Sequence, residues 1–285
     1  MGLVGVGPIV FHHRPTVPRD ALVLPDGVLE AVELQVQGVA AHRDRLRASG
    51  QHVKRGLLLH GPPGCGKTLT VRYLLGGASD HTVVLLTGRD LHMVRPAIGL
   101  ARMLQPALVV LEDVDLVAEE RTMYPMGNPL LYELLNEFDG IAEDADVAFV
   151  LTTNRADLLE PALAARPGRV DLAVELGLPD AEARRRLVDL YGRDLDLRLD
   201  GLNAIVARTE GVTAAFIKEL MRKAAVLAAA DGDGAGPIRV TDANVNRALD
   251  ELLAEGSRLT RILLGGDEAP PPARRGTSWM IRDEG

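Results

Sequence analysis

Five short apolar runs punctuate the chain: Arg55–His60, Thr82–Leu86, Ala107–Leu111, Val147–Leu151 and Leu172–Leu176. Each is rich in Val or Leu and reads as a buried strand. Helical or loop-like sequence separates each run from the next, and that alternation predicts a parallel sheet covered by helices on both faces. Leu69–Leu75 continues the first strand's loop as a helix. Ahead of that strand, Asp26–Ser49 carries two helical patterns broken near Gly38 and ends in the basic stretch His42–Arg47.

After Pro179 the pattern changes. Apolar residues recur at helical spacing in Asp180–Gly192, Leu199–Thr209, Thr213–Ala230 and Thr241–Ala254, behind the polar starters Asp180, Thr213 and Thr241. These runs predict a small helical domain at 180–264, with Asp231–Pro237 as a flexible connection inside it. The α/β part then occupies 26–179. Residues 1–25, rich in Pro, Gly and His, read as an irregular arm. Residues 265–285, with Pro270–Pro272 and the pair Arg274–Arg275, read as a disordered tail. No internal repeat interrupts this order.

Composition narrows the class. A chain of 285 residues, 47% hydrophobic and 25% charged, has the make-up of a soluble globular protein with a substantial core. Aromatics are only 3%, so aliphatic residues carry that core. The formal charge of −8 argues against nucleic acid as a partner. Of the 32 basic residues 28 are arginine, which reads as a coding bias and not as a phosphate-binding design. The single cysteine, Cys65, excludes an intrachain disulfide and fits a reducing compartment. The opening MGLVGVGPIVF lacks the basic start and length of a signal peptide. No apolar run reaches the roughly 18 residues that a membrane span needs, and a cytoplasmic location is expected.

The first candidate chemistry lies between the first strand and its helix. Residues 61–68 read GPPGCGKT and fit G-x-x-x-x-G-K-[ST], with Gly61, Gly66, Lys67 and Thr68 at the fixed positions. Glycines allow a tight loop whose N–H groups turn inward to phosphate oxygens. The whole stretch Gly61, Pro62, Pro63, Gly64, Cys65, Gly66, Lys67, Thr68 and Leu69 is therefore the expected nucleotide cradle. Lys67 bridges the β- and γ-phosphates and Thr68 offers its hydroxyl to Mg²⁺. A strand, a glycine loop and a helix start also aim the helix dipole at the anion.

The second element is acidic. Ala107–Leu111 runs directly into Glu112, Asp113, Val114 and Asp115. A triphosphatase needs one carboxylate for Mg²⁺ and a second to orient the attacking water, and adjacent residues at a strand end point in different directions. Third, Asn154 follows the strand Val147–Leu151, where its amide can reach both the γ-phosphate and the water. Arg166 and Arg169 flank Pro167-Gly168, a stiff turn that suits a charge reaching outward to another subunit's phosphate.

These segments, with NPLLYELLNEFDG (128–140), TTNRADLLEPALAARPGRVD (152–171) and EGVTAAFIKELMRKAAVLA (210–228), resemble the AAA ATPases over roughly residues 25–260. The resemblance implies a three-layer α/β P-loop domain with a five-stranded parallel sheet, followed by a small all-helical lid. It also implies ATP and Mg²⁺ as cofactors and a ring, usually hexameric, whose sites are shared between neighbours. By the same resemblance Asn154 is similar to the first sensor residue. Arg166 and Arg169 are similar to the pair donated in trans, the first being the finger.

Three departures bear on function. The acidic pair is Glu112-Asp113 where most members have Asp-Glu, an order similar to that of the AAA proteins that assemble mitochondrial respiratory complexes. Glu112 is assigned to Mg²⁺ and Asp113 to water; a shifted register, with Asp113 on the metal and Asp115 as base, is the alternative. The segment Gly88–Gly99, where threading members carry a gripping aromatic, has none, leaving His92, Met93 and Val94 to grip or simply to pack. About fifty residues precede the core and hold no core of their own, so either the chain is a fragment or its substrate docks on the arm and ring. The lid segment Gly211–Phe216 lacks the second sensor arginine of DNA-acting relatives.

The expected function is thus an ATP-driven remodeller of an unidentified protein partner. A slow, nucleotide-gated assembly switch is the rival, because Asp113 is one methylene shorter than Glu. A DNA-acting relative ranks third. Cys65 needs only to be small; a sharper expectation is that the helix start lowers its pKa and makes the loop redox-sensitive.

Overall fold

The computed structural model describes residues 10–115, 136–137, 140, 145–155, 170–232 and 236–254. Arg166, Arg169 and the tail from 265 lie outside them, as does most of 128–140. The described strands are β1 Arg55–His60, β2 Thr82–Thr87, β3 Ala107–Glu112, β4 Val147–Thr153 and β5 Leu172–Glu175. They form one five-stranded sheet in the order β2-β3-β4-β1-β5, with every described pairing parallel. Each apolar run became a strand within a residue or two of its expected bounds.

Parallel pairing forces each return path over a face of the sheet, and the side chains record it. Along β3, Ala107, Val109 and Leu111 enter one core, whereas Leu108 and Val110 enter the other. The first core packs against α5, Val94–Met103, through Val94, Ala97, Ile98 and Ala101. The second packs against α4, Lys67–Gly77, and α1, Val28–Glu33, through Val71, Leu74, Leu75, Leu29 and Val32. In the central strands β1, β3 and β4 both faces are buried, which is why those runs show no alternation of polar and apolar residues.

Near Gly38 the helix does not break. It passes through a π-helical turn at Leu34–Gly38, continues as α2, Val39–Ala41, and gives way to α3, Arg43–Ala48. The described part of the arm, 10–25, is irregular apart from a 3-10 turn at Arg19–Ala21, and it is tied down at a few points. Arg14 donates to the carbonyls of Ala78 and His81. Leu22 and Leu24 bury in the sheet's second core while Val23, between them, packs on the lid core. That is extended-chain alternation working between two bodies.

Beneath β1 sits a buried ionic cluster. Arg55, 3% exposed, bonds Asp146 at 2.8 Å and also donates to the carbonyls of Val53 and Val36. Its other nitrogen meets His81 Nε2 at 3.2 Å, and Arg43 lies 3.8 Å from Asp146. Burial pushes the His81 imidazole below its ordinary pKa, with Arg55 adding to the effect.

The lid holds α6 Ala181–Gly192, α7 Leu202–Arg208, α8 Ala214–Asp231 and α9 Asp242–Ala254. Asp180 caps α6 by accepting from Ala183 N, and Thr213 caps α8 by accepting from Phe216 N. A short parallel ladder, β6 Asp196–Arg198 with β7 Arg239–Thr241, joins the helices. Three-residue strands leave no period to read in sequence. Phe216, Ile217, Leu220, Val245 and Leu249 centre this third core.

Candidate functional site

The strand order brings three loops to one edge. β4 lies between β3 and β1, so its end touches both the acidic loop and the glycine loop. On one side, Val114 N donates to the Thr152 carbonyl at 3.0 Å and Asp113 N to Thr152 Oγ1 at 2.9 Å. On the other, Gly61 N reaches the Thr153 carbonyl at 3.3 Å.

The glycine loop needs its glycines for different reasons. Gly61 has φ +139°, and a Cβ there would lie 2.2 Å from the Leu176 carbonyl oxygen. Gly64, at φ +80°, sits under the lid: a Cβ would lie 2.9 Å from that of Ala215 and 3.0 Å from Thr213 Oγ1. Gly66, at φ +103°, starts α4 with no side-chain cap and opens onto empty space. The first N–H groups of α4 are therefore free of a capping side chain and lie beside the loop, the arrangement that binds phosphate.

Lys67 is buried and its three donors are in use. Nζ bonds the Gly61 carbonyl at 2.7 Å, the Pro62 carbonyl at 2.9 Å and Asn154 Oδ1 at 2.8 Å. Burial pushes its pKa down, against the attraction of Cys65, Asp113 and Asp115. Asn154 is in turn gripped by Asp115. That carboxylate accepts from Asn154 N and Nδ2, each at 3.1 Å, and from Thr153 Oγ1 at 2.9 Å.

Glu112 and Asp113 diverge as expected of adjacent residues. Glu112 lies beside the Thr68 side chain, which favours its charged form, and its Oε1 is buried with no partner among the described residues. Burial pushes its pKa up, with Asp113 adding repulsion. An orphaned carboxylate oxygen beside the Thr68 hydroxyl is a donor set that fits Mg²⁺. Asp113 has φ +54°, a left-handed conformation rare for a residue with a side chain. Its pKa is raised by burial and then by Asp115, while Lys67 pulls the other way.

Two expectations change. The thiol of Cys65 is buried and its pKa is pushed up by that burial, with Lys67 only partly offsetting it. A lowered pKa does not hold, because desolvation of the thiolate outweighs the attraction of Lys67. Met93 packs on the sheet's first core and Val94 is fully buried in it, at the junction of a 3-10 turn, Gly88–Met93, and α5. Of the three suggested gripping residues only His92 is exposed.

The structure also adds residues that the sequence reading passed over. Thr152 and Thr153 tie the acidic and phosphate loops together, a duty hinted at only by polar residues ending an apolar run. Ala215 N donates to the Gly64 carbonyl at 3.1 Å, so the lid touches the cradle directly. No local pattern signals that contact.

A parallel sheet whose β1 feeds a GPPGCGKT loop, with acid and amide at the next strand ends, defines a P-loop nucleoside triphosphatase. A family model, the ATPase family associated with various cellular activities (AAA), matches residues 57–178. The chain is 34% identical over 251 residues to the ATP-dependent zinc metalloprotease FtsH 3 of Sphaerobacter thermophilus, covering 83% of this chain and 50% of that protein. It is 30% identical over 248 residues to the proteasome-activating nucleotidase of Thermococcus gammatolerans, covering 82% and 60%. The FtsH of Mycobacterium tuberculosis is 30% identical over 263 residues, 87% of this chain and 34% of its own. Residues 57–178 form a domain of the AAA ATPase family. The chain spans about half the length of the curated relatives it matches.

Proposed function

We propose that this chain is the ATP-hydrolysing unit of a hexameric ring that remodels a protein partner. The observation that carries the reading is the joined set Lys67–Asn154–Asp115, set beside Glu112 and Asp113 at one sheet edge. Lys67 and the α4 N–H groups hold the triphosphate. Thr68 and Glu112 would hold Mg²⁺, which would neutralise charge developing on the phosphate oxygens. Asp113 takes a proton from water; the water oxygen bonds to the γ-phosphorus as the bond to the ADP oxygen breaks. ADP and phosphate leave, and the proton passes to solvent. Arg166, with Arg169 beside it, reaches the neighbouring copy's phosphate.

The relatives' names supply the partner class. One is a protease and another activates a proteasome, so both act where proteins are handled. The peptidase part of the first name finds no residues in these 285, which contain no H-E-x-x-H. No helix among the described residues is long and apolar enough to cross a membrane. The packed Met93 and Val94 favour a second reading for the ring, a nucleotide-gated scaffold that does not grip a chain in its pore.

The test is ATPase rate against protein concentration for the parent, Asp113→Asn and Arg166→Ala. A rate that rises cooperatively and falls on the order of 10³-fold or more in Arg166→Ala supports the shared-site ring. Tight ATP binding with negligible turnover in the parent selects the scaffold.

A further inference from the structure

We propose that Asp115 is a positioning residue that fixes which face Asn154 turns to the reacting phosphate; the inference rests on the ATPase reading above. An amide side chain has one accepting end and one donating end, and the two are nearly the same shape. Here the neighbours decide the orientation. Asp115 as a carboxylate only accepts, so the end 3.1 Å from its Oδ2 is Nδ2. Lys67 as an ammonium only donates, so the end 2.8 Å from its Nζ is Oδ1. Either contact alone fixes the amide, and they agree.

The grip on Asn154 is rigid. Asp115 is 4% exposed and receives Asn154 N and Thr153 Oγ1 on its other oxygen, at 3.1 and 2.9 Å. Thr153 Oγ1 also accepts from Arg155 N at 2.9 Å, so the turn after β4 is held at both ends. With three hydrogen bonds and no access to water, Asp115 does not serve as the base, and the shifted register is disfavoured. Its work passes through Asn154: Nδ2 is occupied, and the amide presents an acceptor to the site. When phosphate oxygens claim Lys67, Oδ1 is released and can accept a hydrogen bond from the attacking water, whose proton goes to Asp113. Asp115 thereby makes Asn154 a water-orienting group and not a phosphate donor.

Asp115→Asn is the discriminating change. It keeps the shape but turns one acceptor into a donor, leaving Asn154 Nδ2 without its partner and the amide free to turn over. The full chain is used, with Mg²⁺ and ATP. The expected result is a fall in kcat of about tenfold or more with the Kd for ATP within about threefold. In the Asn154→Ala background, assayed on the alkaline plateau where the influence of Asp115 on Asp113 no longer limits the rate, the same change costs less than about twofold, because the route through the amide is gone. The Asn154 side-chain NH₂ signal, identified by its loss in Asn154→Ala, exchanges slowly in the parent and faster in Asp115→Asn. This readout holds whether or not the parent turns over, so failure of the ATPase reading is separate from failure of this one. If Asp115→Asn does not fold, Thr153→Val removes one donor from the same carboxylate and is put through the same cycle. Losses that multiply in the double variant, or an unchanged NH₂ exchange rate, overturn the proposal.

Discussion

Lys67 Nζ donates to Asn154 Oδ1 at 2.8 Å, linking the phosphate loop to the end of β4 across 87 residues of chain. Triphosphate must compete for a lysine whose donors are all committed. Lys67→Met should weaken Mg·ATP binding by about 10–100-fold, the value of one or more charge-assisted bonds. Asn154→Ala should act in the opposite sense on binding: Kd stays level or tightens, because a competitor is gone, while kcat falls about 100-fold. Calorimetric titration beside steady-state turnover separates the two effects.

The acid limb of the rate should sit high. Asp113 must be ionised to accept a proton, and its folded pKa is raised by burial and by Asp115. Activity is therefore full above that raised value and lost as pH falls through it, above the ordinary carboxylate value of 3.8. Asp113 and Glu112 titrate as neighbours, so the profile reports the pair. A kcat/KM profile that stays flat down to pH of about 4 would contradict the assignment.

Gly61→Ala should be destabilising by at least about 2 kcal/mol, since it adds a carbon against a backbone oxygen at a positive φ. Gly64→Val should cost less stability but push Ala215 and the lid from the loop. Denaturant midpoints rank the pair, and faster hydrogen exchange at 213–216 in Gly64→Val checks the lid.

Arg55→Leu should cost about 3–5 kcal/mol by stranding Asp146, whereas Arg55→Leu with Asp146→Leu should recover part of it. The same cluster gives a pH dependence. His81 has a folded pKa below its ordinary 6.5, so the unfolded chain binds the proton first. Its contribution to stability is present above pH of about 6.5 and is lost as pH falls towards the folded value. Arg55, Arg43, Asp146 and Asp80 are the charges acting on it. Urea midpoints at pH 7.5 and 5.5, parent against His81→Gln, read the difference.

Cys65 should alkylate slowly at neutral pH, because burial both hides the thiol and raises its pKa. Iodoacetamide labelling of the native chain against the denatured chain measures it; equal rates would restore the redox-sensitive expectation.

Much of this protein is determined locally. The central strands β1, β3 and β4 were legible because strands buried on both faces must be apolar throughout, and the cradle because its glycines sit at positive φ. Asp180 and Thr213 announced their helices because capping is settled within one turn. What the chain's tertiary structure decided is who meets whom. Strand order is not written in any one strand, and it is the placing of β4 between β3 and β1 that hands Asn154 to both Asp115 and Lys67. Burial, likewise a property of the whole packing, reversed the expected pKa of Cys65 and turned Met93 and Val94 inward. The sequence by itself determined the parts and their chemistry; folding determined their contacts, because desolvation and hydrogen-bond geometry exist only once distant segments share a core.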